Sequence, residues 1–249
     1  VTRGADEAID SLIRVFCRAE NDNIIINTPT FPMYAHSAAI QGIQVREAKL
    51  TEDFLVNPSA LSELADENTK IIFLCSPNNP TGTVIDKSVI IELCKTFSNS
   101  ALVVVDETYI EYAGVNSMVP YVKEYENLAI LRSLSKAYAA AGLRCGAAIT
   151  SPQVVNLVKK VLPPYPFPQS LIKELSRIFE KSNLERLKQK RANINQVRDD
   201  LIPKLEELDQ VLVVYPSQAN FLLVRVSDAE KFCNQCREGG LIIRNQSHQ

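Results

Sequence analysis

Five short runs of apolar residues, at 24–26, 71–74, 102–105, 129–131 and 147–149, constrain this chain more than any other feature. Each is too short for a buried helix and carries no polar alternation, so each reads as a strand buried on both faces. Helical patterns sit between several of them, notably at 89–97, and Ile9, Leu12, Ile13 and Phe16 recur at helical spacing in a helix that begins near Asp6. Strands and helices in alternation predict an α/β fold with a mostly parallel central sheet covered by helices, and such sheets place their chemistry at the C-terminal strand ends. Pro163, Pro164, Pro166 and Pro168 interrupt the pattern, because proline removes donors and restricts the residue before it. This stretch is expected to be a junction between a large domain, 1–162, and a smaller, incomplete α+β domain, 163–249. In the latter we expect a long helical stretch to about Leu208, strands near 211–215 and 220–226, a helix from Asp228 and a strand at 241–243.

Composition narrows the function. A net charge of −2 and a pI near 5.8 do not supply the uncompensated basic surface that nucleic acid requires. Charges interrupt every stretch of the length needed to span a bilayer, about 18 residues, so no membrane segment is expected. The partners expected are small molecules and other protein chains. Six scattered cysteines, most of them in apolar runs, suit a reducing cytoplasm. Cys233 and Cys236 have metal-like spacing but lack a second pair, and His36 and His248 are isolated, so no metal site is expected. The basic run 186–191 reads as the solvated face of a helix.

Polar residues gather where the apolar runs end. They form Arg3-Gly4-Ala5-Asp6-Glu7, Ser76-Pro77-Asn78-Asn79-Pro80-Thr81-Gly82, Asp106-Glu107-Thr108-Tyr109, Ser133-Leu134-Ser135-Lys136 and Gly142-Leu143-Arg144. In order and spacing these words resemble the fold-type I aminotransferases of the aspartate aminotransferase superfamily. The fuller wording, Cys75 through Gly82, Asp106 through Tyr112, Leu131 through Tyr138 and Ala141 through Gly146, is similar to the histidinol-phosphate aminotransferases within it. The resemblance extends over essentially the whole chain, with its specific words in the first 150 residues. It implies pyridoxal 5'-phosphate as cofactor.

Each need of that cofactor then has a candidate. Lys136 offers the amine that holds the aldehyde covalently and later shuttles a proton. Asp106, directly after a buried run, is a carboxylate that needs a partner, which the ring nitrogen would be. Asn79 and Tyr109 are assigned by the resemblance to the ring's phenolic oxygen. The phosphate would take the backbone amides of Ala5 and Asp6 at a helix start, the hydroxyls of Ser133 and Ser135, and Arg144. Phe31 matches the aromatic residue that stacks on the ring, and Glu107 is left as structural. Arg244 resembles a segment near the substrate and is kept as a candidate for the substrate phosphate.

The resemblance further implies a two-stage amino transfer in which glutamate becomes 2-oxoglutarate and imidazole-acetol phosphate becomes histidinol phosphate, reversibly, as a step of histidine biosynthesis. It also implies a homodimer with shared active sites. Another amino-acid transaminase or a decarboxylase would use the same cradle, and a regulator with an aminotransferase-like sensor domain is the alternative outside the enzymes. The family takes the substrate carboxylate on an arginine beyond the position of Arg244 and a further residue from an N-terminal arm of the partner. We therefore expect the natural polypeptide to extend in both directions and these 249 residues alone to be catalytically crippled.

Overall fold

The computed structural model describes residues 1–247; His248 and Gln249 lie outside the described residues. Six strands, Asn23–Thr28 (β1), Gln44–Lys49 (β2), Thr69–Cys75 (β3), Leu102–Asp106 (β4), Leu128–Ser133 (β5) and Gly146–Thr150 (β6), form one sheet. Their order is β2-β1-β3-β4-β5-β6. All neighbours run parallel except β5 and β6. The expected mostly parallel sheet is present, with one more strand than the apolar runs indicated. That strand, β2, lies at an edge, where only Ala48 is fully buried, so its sequence never needed an apolar run.

Five helices cover the sheet: Ala5–Phe16 (α1), Met33–Ile40 (α2), Pro58–Leu64 (α3), Lys87–Thr96 (α4) and Pro152–Val158 (α5). Ile24, Ile26, Phe73, Val104 and Leu131 point to the face packed by α1, α2 and α5. Their neighbours Ile25, Ile72, Leu74, Val103 and Ile130 point to the opposite face, against α3 and α4. This period-two division, with both halves dry, is why the strands read as continuous apolar runs. Each such side chain contributes about 1.5–3 kcal/mol on burial. Helix α3 starts on Asn57, whose side chain accepts from the backbone N–H groups of Ser59 and Ala60.

Residues 163–168 have no regular structure. Beyond them come Gln169–Ile178 (α6), Lys181–Glu206 (α7), Val211–Val214 (β7), Val224–Val226 (β8) and Ala229–Glu238 (α8), with β7 and β8 an antiparallel pair. Three expectations need correction here. The long helical stretch is two helices, because Glu180 turns to extended backbone and Asn183 Nδ2 caps the Arg177 carbonyl at 2.6 Å. The strand expected over 220–226 is limited to β8. The apolar run 241–243 forms no strand, since its backbone finds no sheet partner among the described residues. The basic run 186–191 is mostly solvated, yet Arg191 Nη1 reaches the Ala137 carbonyl at 3.4 Å. Asn195 and Arg198, on the same face of α7, donate to the carbonyls of Tyr112 (2.9 Å) and Ala219 (2.7 Å).

The start of α1 is brought to the sheet by Thr2, which exchanges backbone hydrogen bonds with Gly146 at 2.9 and 2.8 Å. A Cβ at Gly146 would stand 2.6 Å from the Gly4 carbonyl carbon, 2.8 Å from the Arg132 oxygen and 2.9 Å from the Ala5 nitrogen. All three are backbone atoms that cannot swing aside. Gly146→Val should therefore lower stability by about 1–3 kcal/mol. Gly142→Val, where an added Cβ meets nothing within 4 Å, is the control. Urea unfolding of the two variants checks this, and equal midpoints would remove the close approach from the account.

Candidate active site

A cleft of about 1600 Å³ opens at the C-terminal ends of β3, β4 and β5, and the region after residue 162 supplies its far wall. All eleven residues selected from the sequence line it: Ala5, Asp6, Phe31, Asn79, Asp106, Tyr109, Ser133, Ser135, Lys136, Arg144 and Arg244. Parallel strands make this convergence possible, because they present all their C-terminal ends on one side.

The floor is Asp106, the last residue of β4, only 2% exposed. One carboxylate oxygen accepts from the Tyr34 hydroxyl at 2.8 Å and the other from the Thr108 backbone N–H at 3.0 Å. No cation pairs with it among the described residues. Burial therefore raises its carboxyl above the ordinary range, with the contacts to Thr108 and Tyr34 pulling the other way and the charge of Asp6 adding to the rise. Tyr34 is itself fully buried, stacked on Phe73 at 4.8 Å and edge-on to Phe31 at 5.7 Å. Tyr34 was not among the residues selected from the sequence. Its position three residues after Phe31, at the start of α2, was the available signal.

The rim at one end is cationic and rich in donors. Gly4, at φ 87°, leads into α1, and a Cβ there would meet an Arg144 guanidinium nitrogen at 2.7 Å. Arg144 contacts Asp6 at 3.1 Å and the Ser135 hydroxyl at 3.5 Å. Its backbone is left-handed (φ 48°, ψ 53°), at a cost of roughly 1–2 kcal/mol. The Ser133 hydroxyl accepts from the Ser135 N–H at 3.2 Å and shapes the loop before Lys136. The exposed Lys136 places Nζ 5.6 Å from the centroid of the Tyr109 ring, and that ring meets Phe221 edge-on at 5.1 Å. Burial pushes the Tyr109 phenol well up, helped by Cys75 and Asp106 and opposed by Arg244 across the cleft. Glu107 faces away from this chemistry. It accepts from Ser117 at 2.5 Å and from the Met118 N–H at 2.6 Å, and Arg132 bridges it to Glu111.

The arrangement combines a buried negative floor without a counter-cation, a primary amine beside an aromatic ring, and a helix start with an arginine at the rim. It fits a flat ring that is cationic at one edge and anionic at its tail. On the far wall, Asn220 carries a buried carboxamide oxygen with no partner in the protein. Cys233 and Cys236 are free thiols on α8. No three metal-ligating side chains gather among the described residues, and no helix there is long and apolar enough to cross a membrane.

Residues 1–248 match the protein family described as aminotransferase class I and II. The chain is 42% identical over 249 residues to the histidinol-phosphate aminotransferase of Flavobacterium johnsoniae, covering 99% of this chain and 69% of that protein. It is 40% identical over 247 residues to histidinol-phosphate aminotransferase 2 of Mannheimia succiniciproducens, covering 99% and 70%. Among solved structures, the histidinol-phosphate aminotransferase of Clostridium acetobutylicum matches with a TM-score of 0.87 at 25% identity, covering 98% of this chain and 72% of that one.

The raised carboxyl of Asp106 has a measurable effect on stability. An acid that holds its proton more tightly when folded loses stability as pH climbs from the ordinary carboxylate value, about 3.9, through the higher folded value, and the loss persists above it. Asp106→Asn removes the charge and keeps one acceptor. The ligand-free variant should therefore melt above the parent near neutral pH, by ~2–4 °C per kcal/mol recovered, and converge with it in acid. Melting curves across pH check this; a variant that melts lower at every pH would show that the carboxylate is not under strain.

Proposed function

Because this chain belongs to the class I and II aminotransferases and is a transaminase, we propose that it works with pyridoxal 5'-phosphate and moves the amino group of histidinol phosphate in histidine biosynthesis. The observation that carries the cofactor is Asp106, a buried carboxylate without a cation at the floor of a cleft that also holds Lys136 and Arg144. Such a group stays ionised at least cost when it faces a cation, and a protonated ring nitrogen is the partner that fits. When bound, the cofactor supplies an electron-withdrawing ring that accepts the electron pair left on carbon as a proton departs.

The protein's own groups do the rest. Lys136 would hold the aldehyde through Nζ and, once freed, would move the proton at the substrate carbon. Asp106 keeps the ring nitrogen charged, and Tyr34 keeps Asp106 in place. Asn79 and Tyr109 would donate to the phenolic oxygen, and Phe31 would pack on the ring. The amides of Ala5 and Asp6, the hydroxyls of Ser133 and Ser135, and Arg144 take the phosphate. Arg244, exposed at the cleft mouth, is assigned to the anionic part of the substrate. Glutamate and 2-oxoglutarate are proposed as the partner pair. The working form is proposed to be a cytoplasmic homodimer, each chain dividing at the proline stretch into a cofactor-binding part, 1–162, and a smaller part, 163–249.

The names of the two curated relatives support histidinol phosphate as substrate. Borohydride reduction after loading with pyridoxal phosphate should leave the pyridoxyl group on Lys136 alone, and Lys136→Ala should abolish it; label mapped to another lysine would sink the assignment. In a longer form of the polypeptide, histidinol phosphate should exceed phenylalanine as amino donor by roughly a hundredfold or more in kcat/KM. Comparable values would move the substrate to another amino acid.

A further inference from the structure

The turn from Ser76 to Gly82 joins three segments that face the cleft, and Asn78 is its central side chain. Asn78 is 5% exposed, and its carboxamide is fully used. The oxygen accepts from the Thr30 hydroxyl at 2.8 Å, and Nδ2 donates to the Pro29 carbonyl at 3.0 Å and to Thr81 Oγ1 at 2.9 Å. Its backbone N–H donates to the Thr83 carbonyl at 2.8 Å, and its carbonyl accepts from the Gly82 N–H at 2.7 Å. One side chain thus ties the loop that carries Phe31 to the loop that carries Asn79.

The far end of the turn grips the opposite wall. Gly82 has φ 76°, and a Cβ there would stand 2.2 Å from the Ser217 hydroxyl. Its carbonyl accepts from the Gln218 N–H at 2.8 Å, and Ser217 Oγ accepts from the Ala219 N–H at 3.1 Å. Asn220 and Phe221, which line the cleft, follow directly.

We propose that Asn78 is a positioning residue whose carboxamide sets the separation of Phe31 from Asn79 and, through Gly82, the seat of residues 217–221. It does not line the cleft and shapes it from behind. The link to cofactor geometry rests on the pyridoxal-phosphate reading above; the joint between the three segments does not.

Asn78→Asp keeps the shape, loses both N–H donors and sets an oxygen against the Pro29 carbonyl. Thr30→Val is the milder variant, removing one donor to the Asn78 oxygen. Hydrogen exchange on the unloaded 249-residue protein should speed up roughly tenfold at the hydrogen-bonded amides of Asn78, Gly82, Gln218 and Ala219 in Asn78→Asp. In Thr30→Val it should speed up at Asn78 and Gly82. After loading, both variants should show a weakened induced circular-dichroism band of the bound cofactor and a raised dissociation constant for pyridoxal phosphate. Leu93→Ala, a buried substitution on the distant α4, should lower stability yet leave the band intact. If Asn78→Asp loosens the whole sheet, Thr30→Val decides. Exchange at Asn78 and Gly82 unchanged in Thr30→Val, or a band that follows global stability in all three variants, overturns the proposal. A parent protein that binds no pyridoxal phosphate would overturn the cofactor reading, and the exchange measurement would still judge the joint.

Discussion

A carboxylate in a dry interior must be matched by charge or by hydrogen bonds, and Asp106 sets this condition for the whole molecule. It sits at the end of β4, flanked in the sheet by β3 and β5, and the chain provides it with two neutral donors, Tyr34 and Thr108. The helix that delivers Tyr34 belongs to one face of the sheet, and the turn that delivers Thr108 belongs to its C-terminal edge. Both hold the acid in position without neutralising it. The cleft above is thereby electrostatically incomplete in one direction only, toward a cation from outside the protein.

The rim carries the complementary charge. The first helix would ordinarily stand clear of the sheet by the width of a side chain, but Gly146 lets its opening turn rest on strand backbone. The unpaired N–H groups of that turn then face the same space as Arg144. Donors and guanidinium lie at one end and a bare carboxylate at the floor, so the cleft has a polarity that orients a bipolar ligand before any contact with its middle. Phe31, Tyr109 and Phe221 supply the apolar sides between these poles.

Much of this was legible in the sequence, for physical reasons that differ by element. The five apolar strands were readable because burial on both faces leaves no room for polar alternation, whereas β2, at an edge, has a sequence governed mostly by solvent. Asp106 stood out because a charged residue directly after a buried run needs a reason, and Lys136 and Arg144 through the motifs that surround them. Tyr34 did not, since a tyrosine in a helix reads as core, and it is core apart from its hydroxyl. Asn78 was hidden in the same way, as one asparagine of a turn in which either could be a turn former. Beyond residue 162 the reading was poorer. Strand formation at 220–223 and 241–243 depends on backbone partners, which apolar character alone does not specify, and the break between α6 and α7 depends on a single side chain, Asn183, reaching a carbonyl.

Helix α7 is a second link between the two walls of the cleft, beside the Gly82 turn. From one face it holds the carbonyl after Lys136, the carbonyl of Tyr112 beyond the Asp106 turn, and the carbonyl before Asn220. The outer two of those three grips are seven residues apart, about 10 Å along a rod that does not stretch. In mechanical terms α7 is a rigid coupler with attachment points on both jaws. A tilt of its axis would carry the segment after Lys136, the tyrosine turn and the far wall together, so the separation of the two walls is held while the coupler moves.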